Sequence, residues 1–130
     1  MLATLERDIS QKINTIRRMD IYFADLRGNN AGSEQTGIRP VLVIQNDIGN
    51  TYSPTIIVAN ITSSETKAKL PVHVPLKASK TGLRNDSIVL CEQIRTIDKS
   101  RLIEKIGTVD KETQREIDLA LKKSIGLINF

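Results

Sequence analysis

The sequence predicts a mainly β domain of the α+β class, in which an antiparallel sheet is followed by a C-terminal helix. Short runs of β-branched and other apolar residues, separated by polar turns, fill most of the chain. The two ends of the chain instead have the spacing of an amphipathic helix. The length of 130 residues suits a single domain. Strands joined by short connections pair antiparallel, and a terminal helix then covers one face of the sheet.

The six predicted strands differ in their burial patterns. They cover residues 20–26, 39–45, 55–61, 72–76, 87–96 and 104–109. In the first strand Ile21 and Phe23 point one way, whereas Tyr22, Ala24 and Leu26 point the other. The second strand contains a continuous apolar run over 41–44, which is typical of a strand buried on both faces. Residues 46–50 and 98–102 are predicted to form turns.

Helical spacing occurs at both ends of the chain. Asp110 is a favourable N-cap for a final helix over 111–127. One stripe of that helix contains Ile117, Ala120, Leu121, Ser124 and Ile125. Near the N-terminus, Leu5, Ile9, Ile13 and Ile16 predict an amphipathic helix over 4–17. This helix would cover an apolar patch on its own domain or a second copy, bind a partner, or form a frayed terminus.

Composition favours an intracellular protein with an anionic partner. The formal net charge is +4, which suits a nucleic acid or an acidic peptide. One cysteine, Cys91, excludes an intramolecular disulfide, and with the single His73 it forms no zinc-binding cluster. No apolar run approaches the ~20 residues that span a bilayer, and residues 1–19 lack the apolar core of a secretory signal. We therefore expect a soluble, cytoplasmic protein without membrane contact.

Several classes of enzyme lack their motifs in this sequence. There is no P-loop and no dinucleotide-binding glycine motif. The only imidazole, His73, lies between Pro71 and Pro75 in an alternating strand, which favours a strand-surface histidine over a catalytic triad. A ribonuclease that needs two histidines in one chain is also excluded.

The stretch from Gly32 to Asp47 places an arginine where a polar loop meets a buried strand. Glycines at positions 32 and 37 allow tight backbone conformations in the loop, and Arg39 opens the strand. A rigid scaffold next to a flexible loop is a frequent place for ligand-binding groups. An ion pair at the strand end is the alternative role for Arg39.

The chain also resembles a known family. The matching segments follow in order over more than a hundred residues, at 20–26, 32–41, 45–50, 53–55, 59–62, 67–71 and 90–98. The segment at 32–41 reads Gly-Ser-Glu-Gln-x-Gly-x-Arg-Pro-Val. In these segments the chain resembles the MazF/PemK family of bacterial toxin endoribonucleases, and most closely the MazF proteins of Gram-positive bacteria.

The resemblance implies a fold and a domain division. It implies a small SH3-like barrel of antiparallel strands with a C-terminal helix, formed by residues 18–130. Residues 1–17 precede the family's usual start and form an N-terminal helical extension in this interpretation. The family usually has glycine where this chain has Met19, so a special backbone angle there would require a local shift.

The resemblance also assigns roles to residues. Arg39 and Thr62 occupy the positions of the family's catalytic pair. The expected RNA-binding residues are Ser33, Glu34 and Gln35 in the loop, Lys67 and Lys69 after the third strand, and Glu92 and Gln93 on the fifth. The two lysines belong to a stretch, 66–84, with five basic residues and no acidic one. Solvated turn residues, edge-strand lysines and strand-face hydrogen bonds are the alternative interpretations.

The chemistry of RNA cleavage is compatible with this small set of groups. RNA supplies its own nucleophile, the 2′-hydroxyl, so neither an enzyme nucleophile nor a metal or cofactor is needed. A guanidinium offers a planar fork of donors for phosphate, and a threonine hydroxyl adds one more. If the second and third strands pair antiparallel, Arg39 and Thr62 meet at one rim of the sheet.

The predicted function is that of a toxin in a type II toxin–antitoxin system. It would be a metal-independent endoribonuclease that cuts single-stranded mRNA, at an ACA-containing pentanucleotide such as UACAU. The resemblance implies a homodimer and a MazE-like antitoxin with a disordered acidic tail. Two alternatives remain, a gyrase-binding toxin built on the same barrel and a nucleic-acid-binding regulator without catalytic activity.

Overall fold

The predicted antiparallel sheet is present. The computed structural model describes residues 15–28, 37–63 and 70–129. Its strands are β1 (Asp20–Asp25), β2 (Ile38–Val43), β3 (Thr55–Ser63), β4 (His73–Leu76), β5 (Ser87–Asp98) and β6 (Leu102–Thr108). They form one sheet in the order β4-β5-β3-β2-β1-β6, and every neighbouring pair is antiparallel. The mainly β prediction is therefore confirmed.

The edges of this sheet are β4 and β6. Within the described ranges these two strands do not pair with each other. Closure of the sheet into an SH3-like barrel is therefore not confirmed. The register slips within β1–β6 and within β3–β5, and such bulges bend strands.

Among the described residues, three α-helices connect or follow the strands. They are α1 (Asp47–Tyr52), α2 (Ala78–Thr81) and α3 (Lys111–Ser124), and a 3₁₀ turn spans Lys99–Arg101. The prediction of a simple turn at 46–50 is wrong. The Asn46 side chain accepts a hydrogen bond from the Gly49 N–H at 2.8 Å, which caps the first turn of α1 and lets a helix form.

The final helix begins where the sequence predicts and ends earlier. Asp110 Oδ1 accepts the Thr113 N–H at 2.8 Å, as expected for an N-cap. At the other end Gly126 has φ +79°, and the Leu127 N–H donates to the Lys122 carbonyl at 2.8 Å. This Schellman motif terminates α3 before residue 127, the predicted end.

The sheet buries apolar side chains on both faces. The first core cluster joins Ile21, Leu42 and Val89 to Ile117 and Ala120 of α3. A second cluster on the other face contains Ala24, Leu26, Val41, Val43, Ile56, Val58 and Ile97. Val41 and Val43 lie in the second cluster and Leu42 in the first, so β2 is buried on both faces as predicted.

Met19 keeps the backbone conformation that favours glycine. Its φ is +78°, and its side chain is buried in the first core cluster. Its N–H donates to the Val43 carbonyl at 2.8 Å, and its carbonyl accepts the Val109 N–H at 3.0 Å. A left-handed conformation costs a non-glycine residue about 1–2 kcal/mol, and burial of a methionine side chain offsets about 1.5–3 kcal/mol. Met19 is thus accommodated by burial rather than by a shift.

The predicted N-terminal helix over 4–17 falls mostly outside the described residues. Residues 15–17 are not helical. Ile16 is buried in the second core cluster, so the chain that leads into β1 covers part of that face. None of the described helices is long and apolar enough to span a membrane.

Candidate active site

The start of β2 and the end of β3 lie side by side. In the antiparallel register Val41 is opposite Asn60, and extending it by two residues places Arg39 opposite Thr62. On its other side Arg39 pairs with Ala24 of β1. The condition set by the sequence, antiparallel pairing of these two strands, is therefore met.

Arg39 and Thr62 line one cleft of about 260 Å³ at this rim of the sheet. Two guanidinium groups, three hydroxyls and an amide supply its polar wall: Arg39, Arg84, Thr62, Ser63, Ser87 and Asn85. Phe23, Pro40, Ile61 and Leu83 supply the apolar wall. None of these described lining residues is acidic, so the cleft presents hydrogen-bond donors and positive charge.

The turn that carries Arg84 is held by several contacts. Gly82 has φ +82°, and a Cβ there would lie 2.6 Å from the Ile106 carbonyl oxygen, so the chain can pass only with glycine. Asp86 Oδ1 accepts the Ala78 N–H at 2.9 Å, which anchors the carboxylate to α2. Ser87 Oγ donates to the Asn85 carbonyl at 2.9 Å. Arg84 is therefore presented to the cleft from a well-supported turn.

Arg84 and Phe23 are site residues that the sequence did not single out. Arg84 was only one member of the basic stretch, and its position depends on the fold of the turn at 82–87. Phe23 is 38% exposed although it lies in a sheet strand. An aromatic ring at the cleft can stack on a nucleobase, a common element of single-strand recognition. The sequence carried no signal for its exposure, because alternation places Phe23 on the side of Ile21, which is buried.

Most of the predicted RNA-binding residues lie outside the described residues. This applies to Ser33, Glu34, Gln35, Lys67 and Lys69. Within the same basic stretch, Lys77 and Lys80 line a different cleft of about 210 Å³. The stretch is thus divided between two surfaces, and only Arg84 of its described basic residues lines the cleft of Arg39.

Glu92 and Gln93 do not line the cleft of Arg39 and Thr62. They lie in a bulge of β5, between Leu90, which pairs with Asn60, and Ile94, which pairs with Ala59. Gln93 Oε1 accepts a hydrogen bond from Asn60 Nδ2 at 3.1 Å. Since Asn60 precedes Thr62 by two residues on β3, Gln93 is one row of side chains away from the row of Arg39 and Thr62.

The interpretation of His73 as a strand-surface histidine is wrong. Its side chain is only 4% exposed. The ring contacts Glu92 Oε2 through Nε2 at 2.9 Å, and Nδ1 accepts the Leu70 N–H at 3.1 Å. Because both ring nitrogens are engaged by a carboxylate and a backbone amide, His73 is not arranged as the base of a catalytic triad.

Other reactive groups are not assembled into a site in the described part of the chain. It contains no group of three or more histidine, cysteine, aspartate or glutamate side chains placed to hold a metal ion. Burial, and to a smaller extent the neighbouring Glu92, raises the pKa of Cys91 to about 12. Cys91 is fully buried, which confirms its interpretation as a small apolar core residue.

A sheet rim with two guanidinium groups, hydroxyl groups and an exposed aromatic ring has the chemistry that suits a phosphodiester ligand. Comparison with known families makes this specific. Residues 17–125 match the family described as PemK-like, MazF-like toxin of type II toxin–antitoxin system. The chain therefore belongs to this toxin family.

Two similar proteins support this family membership. The chain is 56% identical over 115 residues to Endoribonuclease EndoA of Bacillus subtilis, covering 88% of this chain and 98% of that protein. It is 54% identical over 115 residues to Endoribonuclease MazF of Staphylococcus epidermidis, covering 88% and 95%. These matches confirm the predicted family and the predicted class of enzyme, an endoribonuclease.

Solved structures show the same fold at low sequence identity. A mycobacterial endoribonuclease in complex with its cognate antitoxin has a TM-score of 0.73 at 24% identity, over 89% of this chain and all (100%) of that one. MazF of Deinococcus radiodurans has a TM-score of 0.72 at 23% identity, over 85% and 96%. Both likenesses support the sheet and helix described above.

Proposed function

We propose that the cleft of Arg39 and Thr62 is the active site of a metal-independent endoribonuclease that cuts single-stranded mRNA. The observation that supports this most is the juxtaposition of the two residues. They lie on neighbouring antiparallel strands and line the same cleft, whose described walls contain no carboxylate. A negatively charged phosphodiester fits such a surface.

The RNA 2′-hydroxyl is the nucleophile in the proposed reaction. The 2′-oxygen gives up its proton to solvent and attacks the adjacent phosphorus, the bond to the 5′-oxygen breaks, and that oxygen takes up a proton from solvent. The products are a 2′,3′-cyclic phosphate and a 5′-hydroxyl. The enzyme must align these groups and stabilise charge on the phosphoryl oxygens. Arg39 donates to those oxygens, because a guanidinium offers five N–H donors in a fixed fork and no acceptor. Thr62 holds the same phosphate through its hydroxyl.

The remaining predicted contacts extend the RNA site on either side of the cleft. Arg84 adds a second cation, and Phe23 a surface for base stacking. Glu92 and Gln93 contact bases one row further across the sheet. Ser33, Glu34 and Gln35, with Lys67 and Lys69, complete the proposed RNA-binding set. The family resemblance supports an ACA-containing pentanucleotide such as UACAU as the cleavage site.

The proposed partners are a second copy of the chain and a MazE-like antitoxin in the cytoplasm. The solved mycobacterial relative, an endoribonuclease in complex with its cognate antitoxin, supports the second of these. A disordered acidic tail would compete with RNA for the positive cleft, since both are flexible polyanions. The net charge of +4 is consistent with this competition.

The proposal is tested by mapping cuts in a long RNA of mixed sequence, with EDTA present. Primer extension would locate cut sites for the wild type, Arg39→Ala and Thr62→Ala. Discrete cuts at one shared short sequence, lost in both variants, are the expected result. Absence of cuts, or cuts that persist in both variants, would overturn the assignment. Inhibition of gyrase supercoiling without RNA cleavage would favour the gyrase-binding alternative.

A further inference from the structure

The bulge in β5 breaks the normal alternation of side chains. Asn60 pairs with Leu90 and Ala59 pairs with Ile94, so residues 91–93 have no partner on β3. A bulge re-aims side chains that a regular strand would place on opposite faces. Glu92 and Gln93 are consecutive, and their hydrogen-bond partners show where each side chain goes.

Those partners lie on the same face of the sheet. His73 on β4 and Asn60 on β3 are both directly opposite Leu90, and residues paired in this way share a face. Glu92 Oε2 lies 2.9 Å from His73 Nε2, and Gln93 Oε1 lies 3.1 Å from Asn60 Nδ2. The bulge therefore brings both side chains to one face, which is also the face of Thr62.

The hydrogen bonds of His73 determine what Glu92 can offer a ligand. Nδ1 accepts the Leu70 N–H, so the proton of the neutral ring is on Nε2 and is donated to Glu92 Oε2. The Glu92 side chain is 34% exposed, whereas that of His73 is 4% exposed. A buried imidazole thus holds one carboxylate oxygen, and the other remains an acceptor.

Asn60 determines which end of the Gln93 side-chain amide is left to contact a ligand. Because Gln93 Oε1 accepts from Asn60, its Nε2 amide protons are the groups left for a ligand. Asn60 is buried, and its own Oδ1 has no hydrogen-bond partner among the described residues. An unpaired buried carbonyl oxygen is unfavourable. Asn60 therefore orients Gln93 at a cost to the stability of the fold.

We infer that Glu92 and Gln93 form one base-reading pair whose polarity is set by His73 and Asn60. The inference rests on the proposed function and deepens it. The pair offers an acceptor on Glu92 beside a donor on Gln93, so it fits one unpaired nucleobase through an edge with an N–H beside an acceptor. His73 and Asn60 are positioning residues for this contact and do not touch the RNA.

The first test compares base preferences in an RNA pool randomised around the cut. The variants are His73→Phe and Asn60→Leu, and Thr96→Val, on β5 with Glu92 and Gln93, is the control. Each loses one orienting hydrogen bond, so discrimination at one shared nucleotide position should fall roughly 3- to 10-fold, with kcat on the best sequence within about two-fold of wild type. A preference profile unchanged in both folded variants, or weakened equally at every position, would overturn the inference.

The second test does not depend on RNA. His73 is the only histidine, so its ring ¹⁵N resonances are assigned without ambiguity. The expected result is the Nε2–H tautomer in the wild type, with a changed Nε2 resonance in Glu92→Leu. An Nδ1–H tautomer, or no response to Glu92→Leu, would overturn the orienting role of His73. If the wild type cut no RNA, the proposed function would fail while this measurement would still report on the contact.

Discussion

Two clefts of similar size differ in their charge and therefore in what they can bind. The first, at the rim of β2 and β3, contains Arg39 and Arg84 and no acidic group among its described residues. The second lies between α2 and α3, and its two lysines face three carboxylates: Lys77, Lys80, Asp110, Glu112 and Glu116. Volume does not distinguish them, at about 260 and about 210 Å³. Their charge distinguishes them, because the first cleft attracts a polyanion and the second cleft does not.

Removal of Arg39 should have the largest effect on RNA cleavage. Arg39→Ala deletes the donor nearest to the developing charge, so the single-turnover cleavage rate should fall by about 10²–10³-fold. The matched control is Lys80→Ala, which removes one positive charge from the second cleft. Equal losses in the two variants would show that overall charge, rather than the cleft of Arg39, determines activity.

Thr62 should have the next largest effect. Thr62→Val keeps the β-branched shape and removes the hydroxyl, and one hydrogen bond to a charged group corresponds to roughly 10- to 100-fold in rate. Thr62→Ser should retain most of the activity. The measurement is kcat and KM on a short RNA that contains the mapped cut site. Activity retained in the valine variant would exclude a role for the hydroxyl.

Arg84 should affect binding more than chemistry. Because it lines the same cleft as Arg39 but belongs to a different segment of the chain, we expect it to contact a neighbouring phosphate, so Arg84→Ala should raise KM several-fold with little change in kcat. The salt dependence of RNA binding should lose about 0.7 from its log–log slope, the value for one phosphate contact of a single strand. Lys77→Ala is the matched control and should keep the wild-type slope. A slope unchanged in Arg84→Ala would place the RNA elsewhere.

Reversing the charge balance of the second cleft should have the smallest effect. Glu112→Gln with Glu116→Gln leaves Lys77 and Lys80 facing only Asp110, whose pKa is lowered chiefly by the Thr113 backbone N–H. We expect a few-fold gain in RNA binding at low salt and no new cut sites, since this cleft lacks the Arg39–Thr62 arrangement. New cleavage in this variant would show that positive charge alone is sufficient.

The elements predicted best from sequence depend on local patterns. The alternation in β1, the apolar run in β2 and the cap at Asp110 each involve residues close in the chain. Helix α1 was missed because Gly49 and the asparagines around it resemble a turn, and only the Asn46 cap turns them into a helix. The Schellman end of α3 likewise depends on hydrogen bonds that the apolar stripe does not reveal.

For the candidate site, too, the sequence predicts only what depends on local patterns and neighbouring strands. Arg39 and Thr62 follow from family motifs and from antiparallel pairing of neighbouring strands. The β5 bulge could not be predicted, because it depends on how β5 meets β3 and β4. The His73 ring is hydrogen-bonded to Glu92, nineteen positions further along the chain. Arg84 reaches the cleft only because Gly82 lets the turn pass close to Ile106.

The most direct test of the proposed mechanism uses an RNA with one altered sugar. A short substrate containing the mapped cut site would carry 2′-deoxyribose at the nucleotide before the scissile phosphate, with the ribose form as control. The 2′-hydroxyl mechanism predicts that the altered RNA binds with similar affinity and is not cut, while the control yields a 2′,3′-cyclic phosphate. Cleavage of the deoxy substrate at the same bond would contradict it, because another nucleophile would then be at work.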